Sequence, residues 1–398
     1  MIYIPDEIRF ILERLEKAGY CTYVVGGAVR DMLIGRRVHD YDVCTSAPPY
    51  EIQRVFADHK TAETGLKHGT VTVIRNGSPV EVTTFRRDGG YSDGRHPDSV
   101  SFTSSIEEDL GRRDFTVNAI ALGTDGKLTD PYGGQSDIEA KLIRCVREPE
   151  RRFEEDRLRI LRALRFSSEL CFGIEENTAK AIRRSKEIIL TVSAERVYSE
   201  LCRLLEGEGA SAVLTGYPEV ICLILGIENG DRYKKTAEKI GLLDSDHCQR
   251  LAALLFGQNA EKAAAAMRSL KAKNSDKARV VNAVRYGGAD VTTAPELKKL
   301  IGKIGFDTAK DIFMIRSLFC EEAKKLYLMT ADIYERKEPV FLKDLAVDGS
   351  DLTAVGVTPG RLTGEILAAL LDAVIENKVK NEKSDLLAFA SSFMKKKT

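Results

Sequence analysis

The chain of 398 residues carries 60 basic and 60 acidic side chains, so its formal net charge at neutral pH is zero. This balance excludes binding of nucleic acid through overall positive charge alone, although local basic patches can still bind phosphate groups. At this length we expect about two to four subdomains rather than a single core. Eight arginines between Arg144 and Arg165 form one local concentration of positive charge.

The cellular location is constrained by what the sequence lacks. Its N-terminal residues do not show the basic and then apolar order of a signal peptide. No apolar run approaches the ~18 residues that a membrane-spanning helix needs. The eight cysteines include no Cys-x-x-Cys pair, which argues against zinc and against a disulfide framework and favours reduced thiols. The sequence therefore predicts a cytoplasmic protein without a membrane partner.

A glycine turn near the N-terminus is the first segment whose residues indicate chemistry. Tyr23–Val25 has the composition of a short β-strand, Gly26 and Gly27 follow it, and a helix is predicted to open at Ala28. Such a turn lets backbone N–H groups approach a phosphate, and the helix N-terminus adds partial positive charge. Arg30 falls in the first helical turn, where its guanidinium group could bind phosphate oxygens. Taken alone, a glycine pair after a strand is more often only a tight turn.

Two aspartates follow after one short helix. Asp40 and Asp42 lie two residues apart in a segment predicted to be the next strand, so their side chains should project from one face. Paired carboxylates opposite a phosphate-binding turn suit two Mg²⁺ ions about 3.5–4 Å apart, which hold the attacking and leaving oxygens of phosphoryl transfer. A lone pair of this kind is often a solvated face or a helix cap. Together with the glycine turn, it indicates a nucleotidyltransferase.

The segment 1–137 as a whole has the pattern of a mixed α/β domain. Apolar residues at helical spacing predict an amphipathic helix over residues 5–18. Thr70–Ile74 and Val80–Phe85 alternate as strands do on either side of a turn, so they predict a hairpin. Glu81 in the second strand could be a third carboxylate beside the aspartate pair, or only a charge on an edge strand.

Two further segments of this domain carry candidate residues. Residues 87–105 are rich in Gly, Ser and Asp and show no periodicity, and a long loop of this kind is usually functional or disordered. Arg112, Arg113 and Asp114 precede an apolar segment and could bind a triphosphate and a ribose. In isolation, the same three residues are typical of a solvated turn.

Strand signals largely vanish after residue 137, so the remainder is predicted to be helical. One helix is predicted over 153–166, where Asp156, Arg159 and Arg162 lie three residues apart and would be neighbours on its surface. For an arbitrary protein the simplest interpretation of that spacing is an ion pair on a solvated face.

In their order along the chain, these stretches resemble the motifs of the bacterial-type (class II) CCA-adding tRNA nucleotidyltransferases, a branch of the tRNA nucleotidyltransferase/poly(A) polymerase family. The resemblance covers nearly the whole chain and is strongest in Gly26–Asp42, Arg112–Ala119, Asp130–Gly134, Glu155–Phe166 and Glu195–Leu201. It implies an α+β head of the polymerase-β-like nucleotidyltransferase type, followed by all-α neck, body and tail domains. The expected boundaries are 1–137 for the head, 138–205 for the neck, 206–273 for the body and 274–398 for the tail.

The resemblance also implies a role for each candidate site residue. Asp40 and Asp42 would hold Mg²⁺, and Glu81 would assist them. The triphosphate would bind to Gly26, Gly27 and Arg30. Arg113 would contact the nucleotide, and Asp114 would bind the ribose 2′-hydroxyl. Asp156 and Arg159 would pair with the incoming base, and Arg162 and Arg165 would complete the nucleotide site.

The activity implied by the resemblance is the addition of C, C and A to the 3′ end of tRNA from CTP and ATP, with the tail gripping the tRNA acceptor arm. CC-adding enzymes, A-adding enzymes and bacterial poly(A) polymerases share the motifs and stay as alternatives. Gly65–Val71 looks more like the tRNA enzymes, and 87–105 resembles a loop that CC-adding members shorten. A non-catalytic RNA-binding protein is a distant alternative, because both predicted metal ligands are present. An appended phosphohydrolase domain is not expected, since His247 is the only histidine after His96.

Overall fold

The computed structural model describes residues 3–65, 69–95 and 97–395. It divides the chain into two compact units, Met1–Asn229 and Gly230–Thr398. The predicted division into head, neck, body and tail is finer than this and stays a prediction. Within the described residues, no helix is long and apolar enough to cross a membrane. Residues 66–68, which carry part of the resemblance noted for Gly65–Val71, lie outside the described residues.

A mixed sheet forms the centre of the first unit. Its strands are β1 (Thr22–Val25), β2 (Asp42–Thr45), β3 (Lys60–Gly65), β4 (Thr70–Arg75), β5 (Ser78–Thr84), β8 (Ala121–Leu122) and β9 (Leu128–Thr129). Two small pairs lie outside it: β6 (Arg86–Asp88) with β7 (Val100–Phe102), and β10 (Leu142–Ile143) with β11 (Gly173–Ile174). The spatial order in the main sheet is β3-β4-β5-β2-β1-β8-β9, in which β2 and β5 are parallel and the other neighbours are antiparallel.

The core of this unit lies between the sheet and the first helix. The helix predicted over residues 5–18 is confirmed as α1 (Asp6–Lys17), and the side chains of its apolar stripe are buried. They share one core with alternate strand residues such as Val71, Val73 and Val82. Each such side chain contributes about 1.5–3 kcal/mol when fully buried. The period-two pattern of the strands therefore fixes which face of the sheet is left for polar residues.

The predicted hairpin is confirmed, and it determines where Glu81 lies. β4 pairs with β5 in an antiparallel register, and β5 pairs in parallel with β2. In the parallel register Asp42 lies opposite Glu81. Directly paired residues of neighbouring strands point to the same face of a sheet. The sheet therefore places Glu81 beside the first residue of β2.

Two sequence predictions about this region are wrong in detail. β2 begins at Asp42, so Asp40 lies in the segment ahead of the strand rather than on it. The segment 87–105 is not a plain loop, because the antiparallel ribbon of β6 and β7 forms the stem of residues 89–99. Strands of three residues are too short for alternation to show in the sequence, which is why composition alone suggested a loop.

Helices make up the rest of the first unit. Besides α1 they are α2 (Gly27–Leu33), α3 (Pro49–Val55), α4 (Ile106–Gly111), α5 (Gly134–Glu139), α6 (Pro149–Glu155), α7 (Arg159–Leu170), α8 (Glu176–Arg184), α9 (Ala194–Glu206), α10 (Ala210–Gly216) and α11 (Pro218–Leu225). The single helix predicted over 153–166 is wrong, since α6 and α7 are separated by three residues. Asp156 has an extended backbone (φ −136°, ψ 103°), and its side chain accepts a hydrogen bond from the Leu158 backbone N at 3.2 Å. Such a local bond competes with continuation of a helix.

The second unit is helical throughout its described part. Its helices are α12 (Asp231–Lys239), α13 (His247–Leu255), α14 (Ala260–Ser269), α15 (Asn274–Tyr286), α16 (Ala294–Ile304), α17 (Phe306–Ser317), α18 (Glu321–Glu335), α19 (Gly349–Ala354), α20 (Arg361–Ile375) and α21 (Lys383–Lys395). In α17 the buried Asp311 accepts hydrogen bonds from Arg279 of α15 and from Gln249 of α13, so one carboxylate joins three helices. A separate apolar core forms around Leu352, Ile366 and Leu386 near the C-terminus.

Candidate active site

The glycine turn between β1 and α2 lies directly beside an arginine and an aspartate. Gly26 has φ +73°, a conformation that residues with a side chain rarely adopt. A Cβ added at this position would lie 2.9 Å from Nη1 of Arg113 and 3.7 Å from Oδ2 of Asp42. Gly27 is the first residue of α2, and a Cβ there would lie 3.5 Å from Nη2 of Arg30. Glycine is therefore favoured at position 26 by its backbone angle, and a side chain there would also displace the end of Arg113.

The two predicted metal ligands lie at the start of β2 and just ahead of it. Asp42 is accessible to solvent, yet enough protein surrounds it for desolvation to raise the pKa of its carboxyl group. Arg113 opposes this shift, whereas the negative charge of Asp40 adds to it. The charges of the two carboxylates thus repel each other, and Glu81 is aligned with Asp42 on the next strand. Such a set of carboxylate oxygens fits a hard divalent cation, whose charge would relieve the repulsion.

Arg113 lies between the glycine turn and the end of α4. Its Nη2 is 3.4 Å from Oδ2 of Asp109, and its Nη1 faces the turn at Gly26. Its Nε is buried and has no hydrogen-bond partner in the protein. An arginine that has one weak ion pair and an unpartnered donor retains capacity to bind an anionic ligand.

Arg30 does not point into solvent. Only 8% of its surface is exposed, and Nη1 donates to Oδ1 of Asn118 at 2.7 Å while Nε and Nη2 donate to Oδ1 of Asp31. Its guanidinium group also lies over the ring of Phe166, 5.1 Å from the centroid. The structure therefore places this arginine behind the glycine turn, joining α2 to the segment after Asp114. Its predicted contact with the triphosphate stays a prediction.

Asp114 is enclosed by partners on both of its oxygens. Oδ2 accepts from Nε and Nη2 of Arg162 at 2.9 and 2.6 Å, and Oδ1 accepts from Nδ2 of Asn118 and from the Phe115 backbone. Burial alone would raise its pKa, but the charge and hydrogen bonds of Arg162, with help from Arg159 and Asn118, hold the pKa well below its usual value. The carboxylate is therefore ionised and engaged, and a ribose hydroxyl could bind it only by adding to these partners.

The two residues predicted to read the base are close in sequence but have different partners. Both oxygens of Asp156 accept from Nη2 of Arg196 on α9 at 3.3 Å. Arg159 opens α7, and it donates from Nη1 to Oε2 of Glu155 at 2.9 Å and from Nη2 to the carbonyl of Arg112 at 3.0 Å. The expectation that they share one helix face is wrong because the helix breaks between them.

Arg162 lies near the site, whereas Arg165 lies in the core of the helices. Arg162 is half-buried and binds Asp114, whereas the side chain of Arg165 is only 2% exposed. Arg165 pairs with Glu200 of α9 at 2.5 Å and with Glu169 at 2.6 Å. The structure therefore does not bring Arg165 to the candidate nucleotide site, and its direct role there stays a prediction.

Replacing Arg165 with alanine should destabilise the first unit by about 3–5 kcal/mol, because it removes the close partner of the buried Glu200 and leaves that carboxylate only Arg162, at 3.9 Å. Urea unfolding of the purified protein measures this effect. The matched control is Arg203→Ala, since Arg203 pairs with the same Glu169 from a side chain that is 54% exposed. That control should lose no more than about 1 kcal/mol. Equal losses in the two variants would contradict the assignment of Arg165 to the core.

The ribbon formed by β6 and β7 carries its loop onto the break between α6 and α7. The backbone N of Arg157 donates to the carbonyl of Gly94 at 3.3 Å, and a Cβ at Gly94 would lie 2.5 Å from Nε of Arg157. Nearby, Tyr91 donates to Asp88 at 2.7 Å. Burial, the bond to Asp88 and the charge of Glu155 raise the pKa of Tyr91, while Arg159 lowers it. The loop therefore contacts the segment that is predicted to read the base.

A polar cavity of about 370 Å³ lies beside this loop. It is bounded by the ribbon, the end of α4 and helix α6, and Tyr91, Arg112, Arg152 and Glu155 are among its lining residues. Its volume is within the range of small-molecule sites, roughly 300–1,000 Å³. Its lining residues do not include Asp40, Asp42 or Asp156. The cavity is thus a neighbour of the candidate site rather than the site itself.

Sequence reasoning missed several residues that shape the site. Asp109 binds both Arg112 and Arg113, Arg196 holds Asp156, and Glu155 holds Arg159. The spacing of Asp109 from the two arginines, three and four residues, is a helical-neighbour signal that was available. The partner of Asp156 lies 40 residues away and gives no local signal.

One cluster of possible metal ligands lies in the second unit. Among the described residues, His247, Cys248 and Asp276 bring one ligand atom each within 4.8 Å of one another. His247 and Asp276 lie 3.6 Å apart, so the two side chains form an ion pair when His247 is protonated. Asp40, Asp42 and Glu81 do not converge to the same degree.

Comparison with known proteins covers almost the entire chain. Residues 22–144 match the family model of the Poly A polymerase head domain. Residues 171–216 match the model described as the probable RNA and SrmB-binding site of polymerase A, and residues 244–390 match a putative domain 2 of tRNA nucleotidyltransferase. The first of these models covers the sheet and both predicted metal ligands.

Full-length relatives agree with these models. A CCA-adding enzyme of Geobacillus stearothermophilus is 36% identical over 398 residues, covering 95% of this chain and 95% of the relative. One from Lactobacillus delbrueckii subsp. bulgaricus is 35% identical over 385 residues, covering 95% and 96%. The crystal structure of the Bacillus stearothermophilus CCA-adding enzyme in complex with CTP matches with a TM-score of 0.80 and 32% identity, covering 98% of this chain and 97% of that one. The predicted fold class is thereby confirmed, and the chain belongs to the family of CCA-adding enzymes.

Proposed function

We propose that this chain adds C, C and A in turn to the 3′ end of tRNA, using CTP and ATP and no nucleic-acid template. One observation carries the proposal: in a chain 36% identical over its length to a CCA-adding enzyme, Gly26, Arg113 and Asp42 lie together in one site. The relative whose structure contains CTP supports the choice of nucleotide. A CCA-adding enzyme complexed with tRNA has the same fold, with a TM-score of 0.70.

The reaction joins the terminal 3′-hydroxyl of tRNA to the α-phosphate of the nucleotide. A new P–O bond forms, the bond between the α- and β-phosphates breaks, and pyrophosphate leaves with that electron pair. The chain contributes by holding these groups in line and by placing positive charge where negative charge develops. In this proposal Arg113 and the backbone at Gly26 and Gly27 bind the triphosphate, which the closeness of Arg113 to Gly26 supports.

Mg²⁺ is the cofactor that fits the carboxylates. Asp40 and Asp42 would hold it, and Glu81, which is aligned with Asp42 on the next strand, would assist them, because hard oxygen ligands suit this ion. When bound, the ion polarises phosphate oxygens and offsets their charge. Burial raises the pKa of Asp42 and the negative charge of Asp40 adds a smaller part, so a bound cation would offset the cost of keeping this carboxylate charged.

Asp156 and Arg159 select the base by hydrogen-bond polarity. Cytosine and adenine each present an exocyclic amine beside a ring-nitrogen acceptor, so a carboxylate accepts from the first and a guanidinium donates to the second. Uracil and guanine present the reverse polarity and would leave both groups unpaired. A site of this kind can reject the wrong base by roughly 10⁴–10⁵-fold. In the present structure Asp156 is paired with Arg196, and Arg159 is paired with Glu155. The nucleotide must therefore displace or rearrange these partners when it binds.

The remaining assignments rest on the same family. Arg162 borders the site through Asp114, and Arg30 supports the glycine turn from behind. The head, neck, body and tail boundaries would follow the sequence prediction, with the tail binding the tRNA acceptor arm. A cytoplasmic location is supported by eight cysteines that form no disulfide.

A tRNA transcript that lacks its CCA end tests the function directly. With CTP and ATP present, the purified protein should extend this RNA by three nucleotides and then stop. Extension that stops after two cytidines would indicate a CC-adding enzyme, and addition only to RNA already ending in CC would indicate an A-adding enzyme. Long products of A alone on unrelated RNA would indicate a poly(A) polymerase. No extension of any RNA would overturn the proposal.

Trimming residues 88–97 should stop synthesis before the terminal A. The loop contacts the base-reading segment through the hydrogen bond between Gly94 and Arg157, and trimming removes this contact. We expect the change from adding C to adding A to depend on it. Gel analysis of products from CTP alone and from CTP with ATP measures the effect. Retained CC addition by the same variant is the control for folding. Normal addition of A by the trimmed variant would rule out this role. Of the trimmed residues, residue 96 lies outside the part of the chain that the structure describes.

A further inference from the structure

The buried carboxylate of Asp109 binds both Arg112 and Arg113, which contact two different sides of the candidate site. Asp109 of α4 is 0% exposed. Its Oδ1 accepts from Nε and Nη2 of Arg112 at 3.0 and 2.8 Å and from the backbone N of Arg86 at 3.2 Å. Its Oδ2 is 3.4 Å from Nη2 of Arg113. This one side chain thus joins α4, the residues that follow α4 and the stem of the ribbon.

The two arginines lead to different parts of the site. Arg113 reaches from Asp109 to the glycine turn, where its Nη1 lies 2.9 Å from the position of a Cβ at Gly26. The backbone carbonyl of Arg112 accepts a hydrogen bond from Nη2 of Arg159 at 3.0 Å. The phosphate side and the base-reading side are therefore both connected to the same carboxylate.

Electrostatics explain why an acid, rather than a neutral residue, occupies this position. Burial raises the pKa of Asp109, but the charges of Arg112 and Arg113 outweigh burial and bring the pKa below its usual value. The carboxylate is therefore charged at neutral pH and holds both guanidinium groups. An amide of the same size offers one oxygen and no charge, so it cannot hold both of them.

We propose that Asp109 is a positioning residue for nucleotide addition, which acts by fixing Arg113 against the glycine turn and the Arg112 backbone against Arg159. The inference rests on the proposed function. It assigns no contact between Asp109 and the substrate, because the side chain is enclosed by protein. Loss of its charge should misplace Arg113, and a displacement of about 1 Å at such a site lowers the rate by about a hundredfold.

Asp109→Asn tests this proposal, with Asp311→Asn as the matched control. Asp311 is also buried and also accepts two hydrogen bonds from one arginine, but it lies in the second unit and is not among the candidate site residues. We expect kcat for CTP addition at saturating tRNA to fall about a hundredfold in the first variant. The control should lose a similar amount of thermal stability and keep kcat within about twofold of the original chain. Equal kcat in the two variants would overturn the proposal.

A double variant separates positioning from a general structural role. Because Asp109 acts in part through Arg113, Asp109→Asn should lower kcat by a clearly smaller factor in an Arg113→Ala background than in the original chain, since coupled residues are not additive. Full additivity of the two losses would overturn the proposal. If the Asp109→Asn variant does not fold, Asp109→Glu is a milder variant, because it keeps the charge and moves it by one methylene. Its kcat should fall at least about tenfold. Unchanged kcat would count against the proposal. Inactivity of the original chain on tRNA would instead overturn the proposed function.

Discussion

Asp40→Ala is expected to abolish nucleotide incorporation, a loss of at least about 10³-fold, while tRNA binding is kept. The physical reason is that Asp40 and Asp42 together form the cation site, and one carboxylate alone does not hold a divalent ion well. Steady-state extension assays with CTP measure the loss, and a filter-binding assay with the same tRNA measures binding. Asp40 lies ahead of β2 and outside the core, so the fold should not depend on it.

The matched control for Asp40→Ala is Asp58→Ala. Asp58 is also a solvent-accessible carboxylate of the first unit, but it pairs with Arg14 at 2.5 Å, and neither residue is among the candidate site residues. Its removal should change the rate by less than about twofold, since surface ion pairs contribute little. Turnover retained in Asp40→Ala at more than a tenth of the original rate would remove the metal assignment.

Asp156→Ala should loosen the choice of base. Without the carboxylate, nothing accepts from the amine of cytosine or adenine, and the carbonyl of uracil is no longer opposed by negative charge. We expect the preference for CTP over UTP, taken as a ratio of kcat/KM values, to fall by at least about tenfold from a starting value of roughly 10⁴–10⁵. Arg196 is also released from its ion pair, so part of the loss in rate for CTP reflects a rearranged arginine.

Glu154→Ala controls for a change of charge near the break between α6 and α7. Glu154 is an exposed residue of α6, two positions before Asp156, and it is not among the candidate site residues. This variant should keep the original preference between CTP and UTP. Unchanged preference in Asp156→Ala as well would refute the assignment of Asp156 as a base reader.

The parts of the fold that follow local patterns could be predicted from the sequence. The apolar stripe of α1 and the alternation in β4 and β5 are each set by the period of one element, and both predictions are confirmed. The alignment of Glu81 with Asp42 is a partial success. The sequence suggested that Glu81 could lie near the aspartates, but only the parallel register of β5 with β2 decides it.

The remaining details depend on partners that are distant in sequence. The break before Arg159 depends on how the Asp156 side chain bonds to the backbone N of Leu158 and to Arg196, which lies 40 residues away from Asp156. The family resemblance implies a place for Arg165 in the nucleotide site, but Glu200, 35 residues away, holds it in the core. Residue type and spacing cannot tell an arginine that awaits a ligand from one that already has a buried partner. That difference is set by tertiary packing.

A crystal structure of this chain grown with CTP and Mg²⁺ would test the account most directly. The account predicts a cation bound to Asp40 and Asp42, phosphate oxygens against Gly26, Gly27 and Arg113, and the cytosine edge within hydrogen-bond distance of Asp156 and Arg159. The carboxylate of Asp156 should then have exchanged Arg196 for the base amine. A cytosine that faces other side chains, or a cation bound away from both aspartates, would contradict it.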